Sequence, residues 1–351
     1  MIIDNKVKNK VKEIIDTNAI NMNIADMLMA AFSYTDIINP DEVKQYIKEG
    51  LEEKEAILEM LYGFYGLEHN EINDQVMDKY ILNNLTRLEA NDYLSNPYVK
   101  AIKNVGKNKK YALKYIDYEP YQLFAYDDIQ MKGYEEHSRI GYFANKFSYL
   151  ALTQGNNIWM SLNPNEIETM KPYIAKAKGD VLVLGLGMGY VPFMMANKEE
   201  VKSITIVEKD PEIISLFKEF IWPNFVNKNK IKIMQDDAIN YTKKNNKFDY
   251  IFADLWHDPE DGLPLFVELK RIDRNIDCWL EVSLYQMLRR CMITLLEEQL
   301  NGLKEDSYKF AKTYTDKVIN KMYQNTKNLH LYNEDDLCNL LKDDNLLSLV
   351  I

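Results

Sequence analysis

Apolar and polar positions alternate in three different rhythms along the chain. Residues 1–110 carry helical spacing. Asn39-Pro40-Asp41-Glu42 reads as a helix start, with Asn39 as cap, Pro40 in the first turn and acids at the positive end of the dipole. Val43, Ile47, Leu51, Ile57, Leu58 and Leu61 follow at near-helical intervals. A second helical stretch is predicted from about Asn73 to Leu88, and Asn96-Pro97 opens a short third. From Tyr111 the texture changes to short Tyr-, Phe- and Ile-rich runs between turn residues, the pattern of antiparallel strands. Asn163-Pro164-Asn165-Glu166 then starts a helix with a capping-box pattern; Pro172 is expected to kink or split it, and Gly179 to end it.

From Asp180 strands and helices alternate. Val181–Gly185, Ser203–Glu208, Ile231–Met234 and Phe248–Asp254 read as buried strands, with Cys278–Val282 as a fifth. Asp210-Pro211-Glu212 caps a helix with Ile213, Ile214, Phe217, Phe220 and Ile221 on its apolar face. Such alternation means a doubly wound α/β sheet. After Ser283 the chain reads as helical. The expected layout is a helical N-terminal domain (1–110), a short antiparallel β region (111–165), a Rossmann-like ligand-binding domain (166–300) and a C-terminal helical extension (301–351).

Composition narrows the classes. The 351 residues are 46% hydrophobic and 28% charged, values of a globular chain with a real core. The net charge of −11 argues against general nucleic-acid binding. Lys103, Lys107, Lys109 and Lys110 form the best local basic run, read first as a solvated loop. Cys278, Cys291 and Cys338 are widely spaced with no CxxC, so no zinc or other metal site and no disulfide framework is indicated. The N-terminus lacks an apolar secretion core, and the longest apolar stretch, Val181–Ala196, is broken by glycines and a proline. A cytoplasmic, non-membrane protein with a small-molecule substrate is expected, with a homodimer left open.

The chemistry sits at the strand ends. Gly185-Leu186-Gly187-Met188-Gly189 follows the first buried strand and opens a helix, so backbone can approach a ligand closely there. Glu208 ends the second strand, 19 residues after Gly189, where a carboxylate can accept both ribose hydroxyls. Asp237 follows the third strand, where an acid can accept from an adenine amino group, and Asp254 ends the fourth. Any one of these acids could be a helix cap; four successive strand ends bearing Gly, Glu, Asp and Asp point to a ligand site. The loop after Asp254 holds Trp256, His257, Asp258 and Asp261. An aromatic with acids suits a cationic amine, and His257 is either a base or a loop histidine bonded to a neighbour. Asp258 and Asp261 either touch substrate or cap the next helix. Trp222, Phe225, Met194 and Met195 read as core.

The glycine pattern is GxGxG rather than the dinucleotide GxGxxG. Together, Val181–Gly189, Val207-Glu208-Lys209-Asp210-Pro211, Asp236-Asp237-Ala238 and Phe248–Asp254 resemble the motifs of class I S-adenosylmethionine-dependent methyltransferases in order and spacing, over about residues 160–285. The resemblance implies S-adenosyl-L-methionine as cofactor, Gly185, Gly187 and Gly189 as its methionine-side loop, Glu208 as ribose acceptor and Asp237 as adenine contact. It implies Asp254 and His257 as catalytic candidates and Trp256 and Asp258 as substrate contacts. Within that superfamily the layout looks most like spermidine synthase, with Trp159-Met160-Ser161-Leu162 leading into the helix before the first strand. Three departures stand out: Met188 where that family carries an acid, Ile167 where it carries a tyrosine, and a longer loop after strand four. They favour a methyltransferase of a small-molecule acceptor, with amines among the candidates. Aminopropyl transfer from decarboxylated S-adenosylmethionine is the alternative enzyme, and a non-catalytic nucleoside-binding scaffold the alternative class.

Overall fold

The computed structural model describes residues 1–245, 247–302 and 312–351. The chain divides into two compact units. The larger comprises residues 24–130 and 137–255; the smaller comprises 1–23, 131–136 and 256–351.

In the larger unit, the predicted helix starts hold. Asn39 accepts from the Asp41 amide at 2.9 Å and opens the Pro40–Lys48 helix. Gly50, at φ 108°, breaks the helical run, and Glu53–Tyr65 forms a second helix. The stretch expected to be helical to Leu88 stops at Tyr80. The Asn84 side chain donates to the carbonyls of Lys79 and Tyr80, both at 3.0 Å, which terminates the helix. Leu85–Arg87 is instead a strand, pairing in parallel with Ile140–Tyr142. The helices bury Val43, Ile57, Leu61, Met77 and Ile81 together with Ile140 and Tyr142.

The antiparallel region forms as expected. Asn157–Ser161, Phe147–Gln154, Ala112–Tyr118 and Gly106–Lys107 lie side by side in that order. The helix after it runs unbroken over Pro164–Lys176, so Pro172 neither splits it nor ends it. A proline removes one donor; the next residue, Tyr173, packs on Phe252 with ring centroids 4.8 Å apart. Only the Asn163 half of the capping box forms, with Asn163 accepting from the Glu166 amide at 3.0 Å. The helix ends before Gly179, where the Lys198 ammonium donates to the carbonyls of Ile174, Ala175 and Ala177 at 2.6–2.8 Å.

Four parallel strands of this unit stand in the order Ile231–Gln235, Val201–Glu208, Gly179–Leu184, Tyr250–Ala253. The chain therefore builds outward from the first strand in one direction and then crosses to its other side. This is the Rossmann-like α/β arrangement, and the reversal falls between Gly179–Leu184 and Tyr250–Ala253, the switch point at whose carboxyl ends folds of this kind bind ligands. Val181, Leu182, Val183, Leu184, Ile206 and Phe252 are almost wholly buried.

The smaller unit is helical. Pro259–Ile272, Glu281–Leu300 and Tyr314–Thr326 pack through Leu263, Phe266, Leu284, Leu288, Met292 and Met322. The expected strand Cys278–Val282 is corrected here: only Asp277–Cys278 is extended. Leu280 adopts φ 54°, and the long apolar stripe beginning at Leu284 takes the chain into a helix from Glu281. Cys278 and Cys291 are buried thiols, and Cys338 is exposed. Burial pushes the Cys291 thiol up to about 12. Among the described residues no helix is long and apolar enough to cross a membrane.

Candidate functional site

The glycine loop leaves the first strand at this switch point. Gly185 donates to the Val207 carbonyl at 2.9 Å with φ 100°. A Cβ there would lie 2.0 Å from the Asp254 carbonyl oxygen, so only glycine lets the two strand ends close together. Gly187, at φ 51°, packs against the Met160 side chain: a Cβ would lie 3.2 Å from Sδ, so the flexible thioether would have to give. Met188 is buried. It is 6% exposed, and its carbonyl accepts from the Tyr98 hydroxyl.

Glu208 ends its strand 9% exposed, its carboxylate turned toward the loop. Oε2 accepts from the Leu186 amide at 3.1 Å and Oε1 from the Asp210 amide at 2.7 Å. Asp210 caps its helix through the Glu212 amide at 2.8 Å. Its other oxygen accepts from the Lys110 ammonium at 2.6 Å and the Tyr111 hydroxyl at 2.9 Å. Burial alone would raise the Asp210 carboxyl, yet these donors hold it below the usual carboxylate range. Lys110, read from sequence as part of a solvated basic run, is thus an ion-pair partner.

Asp237 is exposed and caps the Ala238–Lys244 helix, accepting from the Asn240 amide at 2.9 Å. Asp254 is half-buried, its amide donating to Leu184 at 2.9 Å. Beside it lies a group the sequence did not single out as functional. Burial, and then the Asp254 charge, push the Glu166 carboxyl well above its ordinary range. At the start of its helix Glu166 looked like a capping partner; nothing in the linear pattern brings it to Asp254. Phe225 and Met195 are buried core, as expected, while Trp222 and Met194 are half-buried.

The chain passes into the smaller unit at Trp256. The Trp256 ring packs over Gly262, where a Cβ would come within 2.6 Å of it. Trp256 is 6% exposed, and its indole N–H has no acceptor among the described residues. His257 Nδ1 lies 2.8 Å from Asp261 Oδ2, and the His257 amide donates to Asp261 Oδ1 at 3.0 Å. Asp258 caps the Pro259–Ile272 helix, accepting from the amides of Glu260 at 2.8 Å and Asp261 at 3.0 Å.

In comparison with known proteins, residues 167–278, about a third of the chain, match the model of the spermine/spermidine synthase domain. Among solved structures the chain is similar to precorrin 8W decarboxylase of Methanobacterium thermoautotrophicum, at 21% identity and TM-score 0.25, over 32% of this chain and 57% of that one. It is also similar to spermidine synthase from Thermotoga maritima, at 12% identity and TM-score 0.29, over 41% and 58%. A spermidine synthase in complex with the transition state analogue AdoDATO gives 12% identity and TM-score 0.28, over the same shares. The chain thus spans less than two thirds of each of these structures. No curated protein matches it. Residues 167–278, which include the glycine loop and the strand-end acids, are thus similar to the spermine/spermidine synthase domain, and their parallel sheet has the Rossmann-like order.

Proposed function

We propose that the protein is an S-adenosylmethionine-dependent methyltransferase acting on a small-molecule acceptor, with amines among the candidates. The observation that carries this reading is Glu208. Its carboxylate stands at a strand end on the carboxyl edge of the sheet and bonds the amide of Leu186 within the glycine loop. A carboxylate fixed there has lone pairs left for the paired hydroxyls of a ribose. The positive φ values at Gly185, Gly187 and Gly189 give the turn in which loop amides can face a ligand.

When bound, S-adenosylmethionine supplies an electrophilic methyl carbon on a sulfonium. Glu208 would hold the ribose, and Asp237 would accept from the adenine amino group. Asp254, with Glu166 beside it, would draw in an amine as its ammonium form, which must lose a proton before its lone pair can attack the methyl carbon in line. On the sequence assignment His257, whose Nδ1 is held by Asp261, is the candidate base for the proton that the amine loses. Trp256 and Asp258 belong to the acceptor side of the same loop. The protein acts in the cytoplasm.

A second reading, aminopropyl transfer from decarboxylated S-adenosylmethionine, is favoured by the family match over residues 167–278. An acid at the Asp254 strand end also suits a donor whose tail is cationic. The two readings separate on products. Incubation with each donor and a panel of amines releases S-adenosylhomocysteine in the first case and methylthioadenosine in the second. Tighter binding of NAD than of either donor by calorimetry would overturn both.

A further inference from the structure

The N-terminal helices carry a short segment that grips the glycine loop from behind. Asn96, Pro97 and Tyr98 open the Pro97–Ala101 helix, with Asn96 Oδ1 accepting from the Tyr98 amide at 2.9 Å. The other end of the Asn96 side chain donates through Nδ2 to the Tyr190 hydroxyl at 3.1 Å. The Tyr98 hydroxyl donates to the Met188 carbonyl. These two contacts fall on either side of Gly189. Tyr98 is fully buried, and its ring meets Tyr190 and Phe193 edge-on, with centroids 5.6 and 5.2 Å apart.

A loop with φ values of 100°, 51° and 77° at Gly185, Gly187 and Gly189 has little conformational preference of its own. Something must hold it in one geometry if its amides are to meet a ligand without an ordering cost at each binding event. We propose that Asn96 and Tyr98 form a clamp that presets the glycine loop for the donor, with Tyr98 as a positioning residue rather than a catalytic one. The inference rests on the reading of this loop as the S-adenosyl site. In that role the helical segment fixes residues 188 and 190 and so orients the backbone between them.

The clamp is reached through hydroxyl and amide groups that can be removed with little change of shape. Tyr98→Phe deletes the bond to Met188 and keeps the ring. Asn96→Ser keeps a capping oxygen and deletes the bond to Tyr190. Tyr190→Phe deletes the same bond from the other side. Amide hydrogen exchange and calorimetry with S-adenosylhomocysteine read the result on the full-length chain.

In Tyr98→Phe, amides of residues 186–190 should exchange about tenfold faster and S-adenosylhomocysteine should bind about tenfold more weakly, the scale of one buried hydrogen bond. Exchange in the Glu53–Tyr65 helix should not change. Asn96→Ser and Tyr190→Phe should each give a smaller effect of the same kind, and together no more than either alone. Unchanged exchange at 186–190, or acceleration spread over the whole unit, overturns the clamp. Faster loop exchange with unchanged affinity in these variants overturns its role in donor binding. If the wild-type protein binds no S-adenosyl compound, the functional reading fails on the calorimetric arm, while the exchange arm still decides whether Asn96 and Tyr98 hold the loop.

Discussion

Glu208 and Leu186 are 22 residues apart in the chain, and a 3.1 Å hydrogen bond joins the carboxylate of one to the backbone amide of the other. The bond links the end of the second strand to the loop leaving the first. Replacement of Glu208 by alanine should weaken S-adenosylhomocysteine binding by roughly 1–3 kcal/mol, the scale of charge-assisted hydrogen bonds. It also leaves the amides of Leu186 and Asp210 without their acceptor, so thermal melting should shift modestly downward. Calorimetry and a melting curve check both. A variant that binds and melts like the wild type would make Glu208 a bystander.

Met188 is a test of packing before it is a test of donor choice. With 6% exposure it has no route to water, so Met188→Asp buries a carboxylate among apolar neighbours. The expected outcome is a loss of at least about 2 kcal/mol in denaturant unfolding, whereas Met188→Leu should cost less than about 1.5 kcal/mol. Donor preference is then measured on the wild-type protein, by competition between S-adenosylmethionine and its decarboxylated form. Preference for the decarboxylated form would replace methyl transfer with aminopropyl transfer.

His257 and Asp261 give a prediction with a spectroscopic readout. The 2.8 Å contact at Nδ1 implies that the neutral imidazole keeps its proton on Nδ1 and presents Nε2 as acceptor. Nitrogen NMR should show that tautomer in the wild type and a mixture in Asp261→Ala. His257→Ala should lower kcat by roughly a hundredfold with donor affinity unchanged, the usual scale of a lost general base. A mixture in the wild type removes the positioning role of Asp261. Unchanged kcat removes His257 from the chemistry.

His69 governs a pH dependence of the larger unit. It stacks on Tyr62 at 4.1 Å and contacts Asp74 at 3.0 Å and Glu59 at 3.1 Å. The hydrogen bonds to Asp74, and then to Glu59, raise the imidazole above its ordinary value near 6.5. Because the folded state favours the charged form, the stabilisation is complete below the unfolded value. It is lost as pH rises through the higher folded one. Melting curves of the wild type and His69→Gln should therefore differ at about pH 5.5, below the ordinary imidazole value, and converge in mildly alkaline buffer. A constant gap across that range would show that His69 contributes only through packing.

Much of this was legible in the linear sequence because it is local. Asn39, Asn96, Asn163 and Asp210 each cap the helix that their side chains predict, since a cap needs only the next two or three amides. The four parallel strands follow from apolar runs too short for helices. The failures are equally physical. Leu85–Arg87 looked helical by spacing and became a strand because Ile140–Tyr142 supplied a partner. Cys278–Val282 looked like a strand and gave way to a helix whose apolar stripe lies further along.

The sequence by itself determined the order of strands and helices, the glycine loop and the acids at the strand ends, because spacing and residue type act over a few positions. Only the tertiary structure decided which of those acids meet a partner, because that depends on segments brought together across the fold. It buried Met188 and bonded its carbonyl to Tyr98, set Asp237 as a helix cap and tied Lys110 to Asp210. It also placed Glu166 beside Asp254, where burial and a neighbouring charge change its chemistry, and no local pattern encodes either.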